Sequence, residues 1–522
     1  MASHDTLLLG TAHVRAGDIA RAASDSSAQV ELSQDVLALI GRSREVLERA
    51  ASSGQRVYGL NTLLGSGRDT AVEEKSLLAY QVQVVRYHNS GVGQYLDRAA
   101  ARSIILARLV GFSRGGSGVR ASTARFYAEL FNRGVFPAIP REGSVGSSDL
   151  TQLAAVAAVA LGEGQAFQAD GTVVPGAKAL ADAGLQPLQL GAGEALALVS
   201  ANAYSVGAGT LALVRLQHLA GLADVALSLS LEAIARYDDG GNLSPFSPAI
   251  QAAKAVDGQK ESAAAVRRLL SGGWLEDVRP EVSVQDPLSF RAAPQIHGAF
   301  RSLVAGLELA LEVELNGRGD NPLADVDSGV MVSGGNFQPL QLALSFEGLR
   351  LAVAHVGISS ERRIAKLYPP QRAIRAKLLG EAAESGLVQE ELPGLLWYSA
   401  AGLLAELKFL AAPATLGAPT LSADVEDHST LAPLALQYLE KSLDSLEKLL
   451  VIEALTASYL LIGAKDGRPL GQGTGAVVGR LADLLTDRPA AADLVERARA
   501  LLREAAAGLE VLESGNGEHN NR

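Results

Sequence analysis

The 522-residue chain contains no cysteine. Disulfides, thiolate nucleophiles and cysteine-ligated zinc or iron–sulfur centres are therefore excluded, and a reducing compartment is favoured. No long basic run is present, and the net charge is −11, which argues against nucleic acid and anionic membranes as partners. The first residues, "MASHDTLLLG", lack the basic start and apolar run of a signal peptide. The most apolar stretch, 153–161, falls well short of the ~20 residues that a membrane span needs. A soluble cytoplasmic protein is expected. Metal-ligand spacing is also lacking: the eight histidines show no i,i+4 pair and no carboxylate at ligand spacing, so no metal is expected. Nucleotide motifs fare no better. "GQGTGAVVG" (471–479) follows no strand and is better read as Thr474 capping a helix, while "RGGSGVR" lacks the lysine of a phosphate-binding loop.

What is present is apolar periodicity. Hydrophobic residues make up 48% of the chain, enough for a large core. Ser33 and Asp35 open a helix over 33–50 with Val36, Leu39, Ile40 and Leu47 on one face. Longer runs of helical period occupy roughly 208–236, 296–316, 338–366 and 432–463, lengths that favour a bundle. His218 and His355 fall inside two of them and read as core or interface residues. Alternating strand patterns are scarce; "GTVVPG" (171–176) is the best hairpin candidate. The expected fold is all-α, a bundle of long helices with a loop-rich N-terminal domain. Three segments are expected: 1–205, 206–465, and 466–522 with a polar, disordered tail.

Between the helices lie seven loops that mix glycine with reactive or recognition side chains: 57–67, 86–93, 115–120, 143–150, 285–295, 333–337 and 424–429. One such loop is a turn. Seven suggest convergence on a pocket. Arg291 stands among apolar residues in "DPLSFRAAPQ", where a guanidinium needs a partner. Its planar fork suits a carboxylate, from a ligand or from the protein itself.

Taken in order, "YGLNT", "GSVG" followed by "DL", "QDPLSFRAAPQ", "DNPL", "SGGNF", "SERRI" and "EDH" resemble the aromatic amino acid ammonia-lyase family over about residues 10–470. The resemblance implies a fumarase/aspartase-like fold, a homotetramer with sites shared between subunits, and a small carboxylate substrate. It also implies roles. Tyr58 matches the base that takes the β-proton, and Arg291 the carboxylate clamp. Glu426, Asn61, His88, Gln285, Asn336 and Phe337 match pocket positions. A fumarase-type reading is disfavoured because that serine-rich signature is absent.

Four departures from the family pattern stand out. Relatives cyclise an Ala-Ser-Gly tripeptide into the electrophile methylidene-imidazolone. Here only Ser147 and Ser148 stand between Gly146 and Asp149, so no such cofactor is expected. Leu288 replaces a tyrosine, and Leu63 and Leu64 replace a Gly-Phe pair. Ser200 falls where relatives have asparagine, with Asn202 two positions on. The resemblance then implies a carbon–nitrogen lyase that eliminates an amine, from a betaine for instance, without the electrophile, as ergothionases do. An ammonia-lyase or aminomutase with an altered precursor frame and a non-catalytic binding homologue are the rival readings.

Overall fold

The long apolar periods become four long helices: Ala203–Tyr237, Ala293–Asn316, Leu340–Ser385 and Ala432–Ala464. They emerge from a computed structural model that describes residues 6–503, apart from 169, 278–282, 386–391, 394 and 488. The tail at 513–522 lies outside the described residues. The all-α expectation holds, since strands are two to four residues long and form only small sheets. The third long helix exceeds its expected end at 366. It continues through Pro369 and Pro370, each of which removes one backbone donor without ending the helix.

The chain divides into two units. The first comprises Met1–Val214, Gly306–Glu347 and Pro413–Gln437. In it, Ser33 accepts the Val36 amide at 3.2 Å and caps the helix Gln34–Ser52, as its sequence signature predicts. Val46, Leu47 and Ala50 of that helix pack with Val57, Leu60, Ala324 and Met331. This cluster seats the loop that carries Tyr58 from beneath. The segment 171–176 supplies the strand Val173–Pro175, which pairs antiparallel with Gln165–Phe167.

The second unit comprises Arg215–Ala305, Gly348–Ala412 and Tyr438–Arg522. Its interior holds charge as well as hydrocarbon. Arg363 and Glu453 are both fully buried, joined by Nε and Nη2 at 2.5 and 2.9 Å. Asp224, also buried, accepts from His297 at 2.7 Å and from Arg301 at 2.7 Å. Here Thr474 is not the helix cap its sequence suggested. The helix starts at Gln472, and the Thr474 hydroxyl donates back to the Gly471 carbonyl at 3.1 Å.

Two stretches do reach the length and apolarity of a membrane span, 194–237 and 340–378. Their most apolar windows are 83% and 56% buried within the protein. The sequence reading underrated them because isolated charges interrupt each run.

Candidate active site

In the first unit, three of the seven loops meet, 57–67, 143–150 and 424–429. Tyr58, half-buried, accepts the Gly65 amide on its hydroxyl oxygen at 2.8 Å. Asn61 spends its side chain on the same loop, accepting from Val57 N at 2.8 Å and donating to Gln55 O at 2.9 Å. The Ser66 amide donates to Ser422 Oγ at 2.9 Å, which joins this loop to the turn that precedes Glu426. Glu426 sits on that turn, with Leu421 and Glu426 bonded to each other through their backbones. Its carboxylate is close enough to Tyr58 to disfavour the phenolate.

Gly146, Ser147, Ser148 and Asp149 form a tightly held second loop. Ser147 Oγ lies 3.0 Å from Ser429 Oγ and 3.3 Å from the His428 carbonyl. Ser148 Oγ lies 3.0 Å from Ser200 Oγ. The Gly146 carbonyl accepts from Thr430 Oγ1 at 2.8 Å, and a Cβ on Gly146 would stand 2.3 Å from that oxygen. Asp149 closes the loop. Its amide donates to the Ala201 carbonyl at 2.8 Å, and its carboxylate receives Ser205 N and Oγ at 2.7 and 3.0 Å. Burial pushes this carboxyl up to about 7, against the pull of the Ser205 donors. Tyr58 and Ser200 line one cavity of about 20 Å³ with Leu60, Leu196, Asp320 and Met331.

Other anticipated residues lie around this centre. Asn202 donates to Glu314 at 3.2 Å, and burial raises the Glu314 carboxyl. Asn336 is exposed and reaches the Arg318 carbonyl at 3.4 Å, with Phe337 half-buried beside it. His88 ends the helix Leu77–His88 with Nδ1 2.7 Å from the Val84 carbonyl. Leu64 packs toward Gly59, where an added Cβ would meet Leu196 at 2.4 Å and Leu64 at 3.0 Å.

Three residues here are not among those the sequence pointed to. Gln338 donates to the His428 carbonyl at 2.9 Å and to Ser147 at 3.4 Å, and it directly follows the "SGGNF" string. Tyr80 and Gln81 sit on an ordinary helical stretch that gave no signal. Gln81 is fully buried and bridges Gly59 O and Ala195 N, at 3.5 and 3.0 Å.

The second unit carries the remaining three. Gln285, Leu288 and Arg291 line a cleft of about 510 Å³ with Asp238, Asp239 and Lys366. Asp286 builds this loop by accepting Gly241 N and Asn242 N at 3.1 and 2.8 Å. Arg291 ends the short helix Leu288–Arg291, and its guanidinium makes no hydrogen bond or ion pair among the described residues. The turn is held from behind. Arg363 Nη1 donates to Ser289 O at 2.9 Å, and Ser359 Oγ to the same oxygen at 3.1 Å. That contact gives the "SERRI" string a physical role.

Comparison with known proteins identifies the family. The pattern of the family described as aromatic amino acid lyase matches residues 14–483. Histidine ammonia-lyase of Myxococcus xanthus is 36% identical over 455 residues, 87% of each chain. The crystal structure of ergothionase from Treponema denticola, solved with desmethyl-ergothioneine sulfonic acid, has a TM-score of 0.87 at 26% identity, covering 96% of this chain and 99% of that one. Histidine ammonia-lyase from Trypanosoma cruzi gives 0.84 at 28% identity, covering 96% and 94%. With a family pattern spanning nearly the whole chain and a close relative covering most of it, this protein belongs to the aromatic amino acid lyase family and is a carbon–nitrogen lyase.

Proposed function

We propose that this lyase performs a 1,2-elimination of an amine from an aromatic or imidazole amino-acid-like substrate, a trimethylammonium betaine above all, and that it does so without methylidene-imidazolone. The observation that carries the reading is the loop Gly146–Asp149. Cyclisation requires a glycine amide to attack the carbonyl two residues back. In this loop the candidate attackers are Ser148 and Asp149, both with side chains where glycine's small size and backbone freedom are needed. Ser148 already occupies the left-handed region with φ 65°. The Asp149 amide is committed to Ala201, and its carboxylate to Ser205. The residues present do not fit the cofactor, and the proposed elimination needs none.

The chemistry that remains is direct. Arg291 takes the substrate carboxylate, which suits a guanidinium in an open cleft with no acid among the described residues bonded to it. Tyr58 accepts the β-proton. The C–H electrons form the Cα=Cβ bond, and the Cα–N bond breaks with its pair leaving on nitrogen. A trimethylammonium departs as neutral trimethylamine and needs no prior activation, whereas a primary ammonium leaves poorly. Burial raises Tyr58 above its ordinary value, with Glu426 adding to the rise and the Gly65 N–H and Arg68 opposing it. A permanently cationic substrate would supply the charge that draws the phenol toward phenolate. In this reading Glu426 contacts the substrate's distal end or its leaving group.

The test compares histidine, phenylalanine and tyrosine with their trimethylated betaines, following the conjugated acrylate by absorbance. Betaine turnover with inert amino acids is expected, from a protein whose intact mass equals the plain sequence. Ammonia release from the free amino acids, or a mass lower by two waters, overturns the proposal.

A further inference from the structure

The cleft of the second unit holds a second cation that the reaction above does not use. Lys366 lines it together with Gln285, Leu288 and Arg291. Its place there follows from the helix Leu340–Ser385. Ser359, Arg363 and Lys366 are spaced by four and then three residues, so they share one helix face. Ser359 and Arg363, both buried, donate from that face to the Ser289 carbonyl at 3.1 and 2.9 Å. Lys366 stands one turn further along and is exposed, where the face leaves the interior at the cleft. The face that tethers the Arg291 turn therefore also presents Lys366. On a solvated helix face, an acid three or four residues away stabilises a lysine. Here Arg362 and Arg363 precede it at those spacings, and Pro369 and Pro370 follow it. Glu361, the nearest acid on the helix, is engaged by the Trp397 indole at 2.9 Å and lies 3.6 Å from Arg362. Asp238 and Asp239 line the cleft too, and Asp238 Oδ1 accepts the Asp239 amide at 2.8 Å. Among the described residues, Lys366 makes no hydrogen bond or ion pair with these or any other group.

We propose that Lys366 is a specificity-determining residue of the carboxylate subsite: the substrate's carboxylate binds to Arg291 and Lys366 together, and the pair selects a free carboxylate over its amide. The proposal rests on Arg291 being the carboxylate clamp. Two like charges on one cleft repel each other, and an anion between them reverses the sign for both. The two cations divide the work. Arg291 offers a planar fork that fixes the plane of the carboxylate, and Lys366 a point charge on a flexible stem that adapts to it. The cleft, at about 510 Å³, is far wider than one carboxylate, so a second contact is needed to fix the position of the first. Elimination leaves the carboxylate on the acrylate product. Lys366 therefore holds substrate and product alike, and it acts on KM more than on kcat.

The experiment titrates the full-length protein by calorimetry with two probes of one shape, 3-phenylacrylate and its uncharged amide. The parental protein should bind the acrylate more tightly than the amide. Lys366→Met should weaken acrylate binding about five- to tenfold, between the worth of an exposed ion pair and that of a charge-assisted hydrogen bond. Amide binding and melting temperature should stay as they are, and Lys366→Arg should restore most of the acrylate affinity. An unchanged acrylate affinity in Lys366→Met, an equal loss for acid and amide, or a parental protein that binds neither probe overturns the proposal. Acrylate binding lost in Arg291→Lys but kept in Lys366→Met would retain the clamp and reject Lys366. The titration needs no turnover. A protein inert toward every betaine and amino acid would sink the reading of the reaction and leave this result legible.

Discussion

Arg291 and Tyr58 each occupy a position that is costly unless the side chain is used. A guanidinium without an internal partner gains little for the fold, so Arg291→Lys should leave the melting temperature nearly unchanged. It keeps the charge and loses the fork, and kcat/KM should fall at least ~10²-fold. A lowered melting temperature with intact turnover would make Arg291 structural. For Tyr58 the sign follows from burial. With its acidity weakened, the phenolate is scarce at neutrality, so kcat/KM should climb about tenfold per pH unit through the alkaline range. Asp149 offers a check on stability. Its carboxyl lies at about 7 in the fold against 3.8 ordinarily. Between those values the native form binds the proton and the unfolded form does not, so stability falls as pH rises across that window and is level above it. Asp149→Asn should abolish that slope in melting curves taken from pH 5 to 8. Much of this was legible in advance, because Tyr58, Arg291 and Glu426 are unusual residues in glycine-rich loops. Gln81 was not, since its partners are backbone atoms far along the chain, on which sequence spacing is silent.

Helices were legible where their apolar stripe is long, and illegible where the stripe stops before the backbone does. The run expected at 208–236 is Ala203–Tyr237, and that at 432–463 is Ala432–Ala464. The period from 338 fails at Pro369 and Pro370, yet the backbone continues to Ser385. Of the strands of two or three residues, Val173–Pro175 alone was signalled, by the turn residues of 171–176. The "SERRI" helix also shows how elements hold a site. Glu453 binds Arg363 through two bonds and accepts from Ser230 at 2.7 Å, while Arg363 reaches the turn Leu288–Arg291 at Ser289. Glu453→Ala leaves a buried cation unpaired and should cost about 3–5 kcal/mol. Joining Glu453→Leu with Arg363→Met removes both charges and should recover much of that loss. Activity should still fall in the double variant, as a raised KM, because Ser289 loses one of its two tethers. A double variant as unstable as Glu453→Ala alone would show that packing, not charge, holds this interior.

At the scale of the whole molecule, the exposed apolar side chains are too orderly for a solvated surface. Within the first unit, Leu309 and Val313 are 68% and 63% exposed and stand one turn apart. Leu340 and Leu344 repeat that spacing on the next helix, and Leu416 is 86% exposed. Within the second unit, Leu303, Leu351 and Phe409 are exposed as well, Phe409 at 84%. Scattered single leucines need no explanation, but ranked pairs along long helices are what a surface between copies of one chain would require. A homotetramer is the assembly proposed for this chain. Such an assembly has a functional consequence, because Tyr58 belongs to one unit of the chain and Arg291 to the other. If one pocket draws them from different subunits, Tyr58→Phe and Arg291→Ala are each inactive alone yet complementary. Co-refolding the two in equal amounts then yields some pockets with both residues intact, and part of the parental activity should return. Leu309→Asp with Leu344→Asp should abolish that recovery and shift light scattering to smaller species, since a buried carboxylate pair is costly at a subunit face. A parental protein that scatters as a monomer, or a mixture that stays inert while still assembling, would place the whole reaction within a single chain.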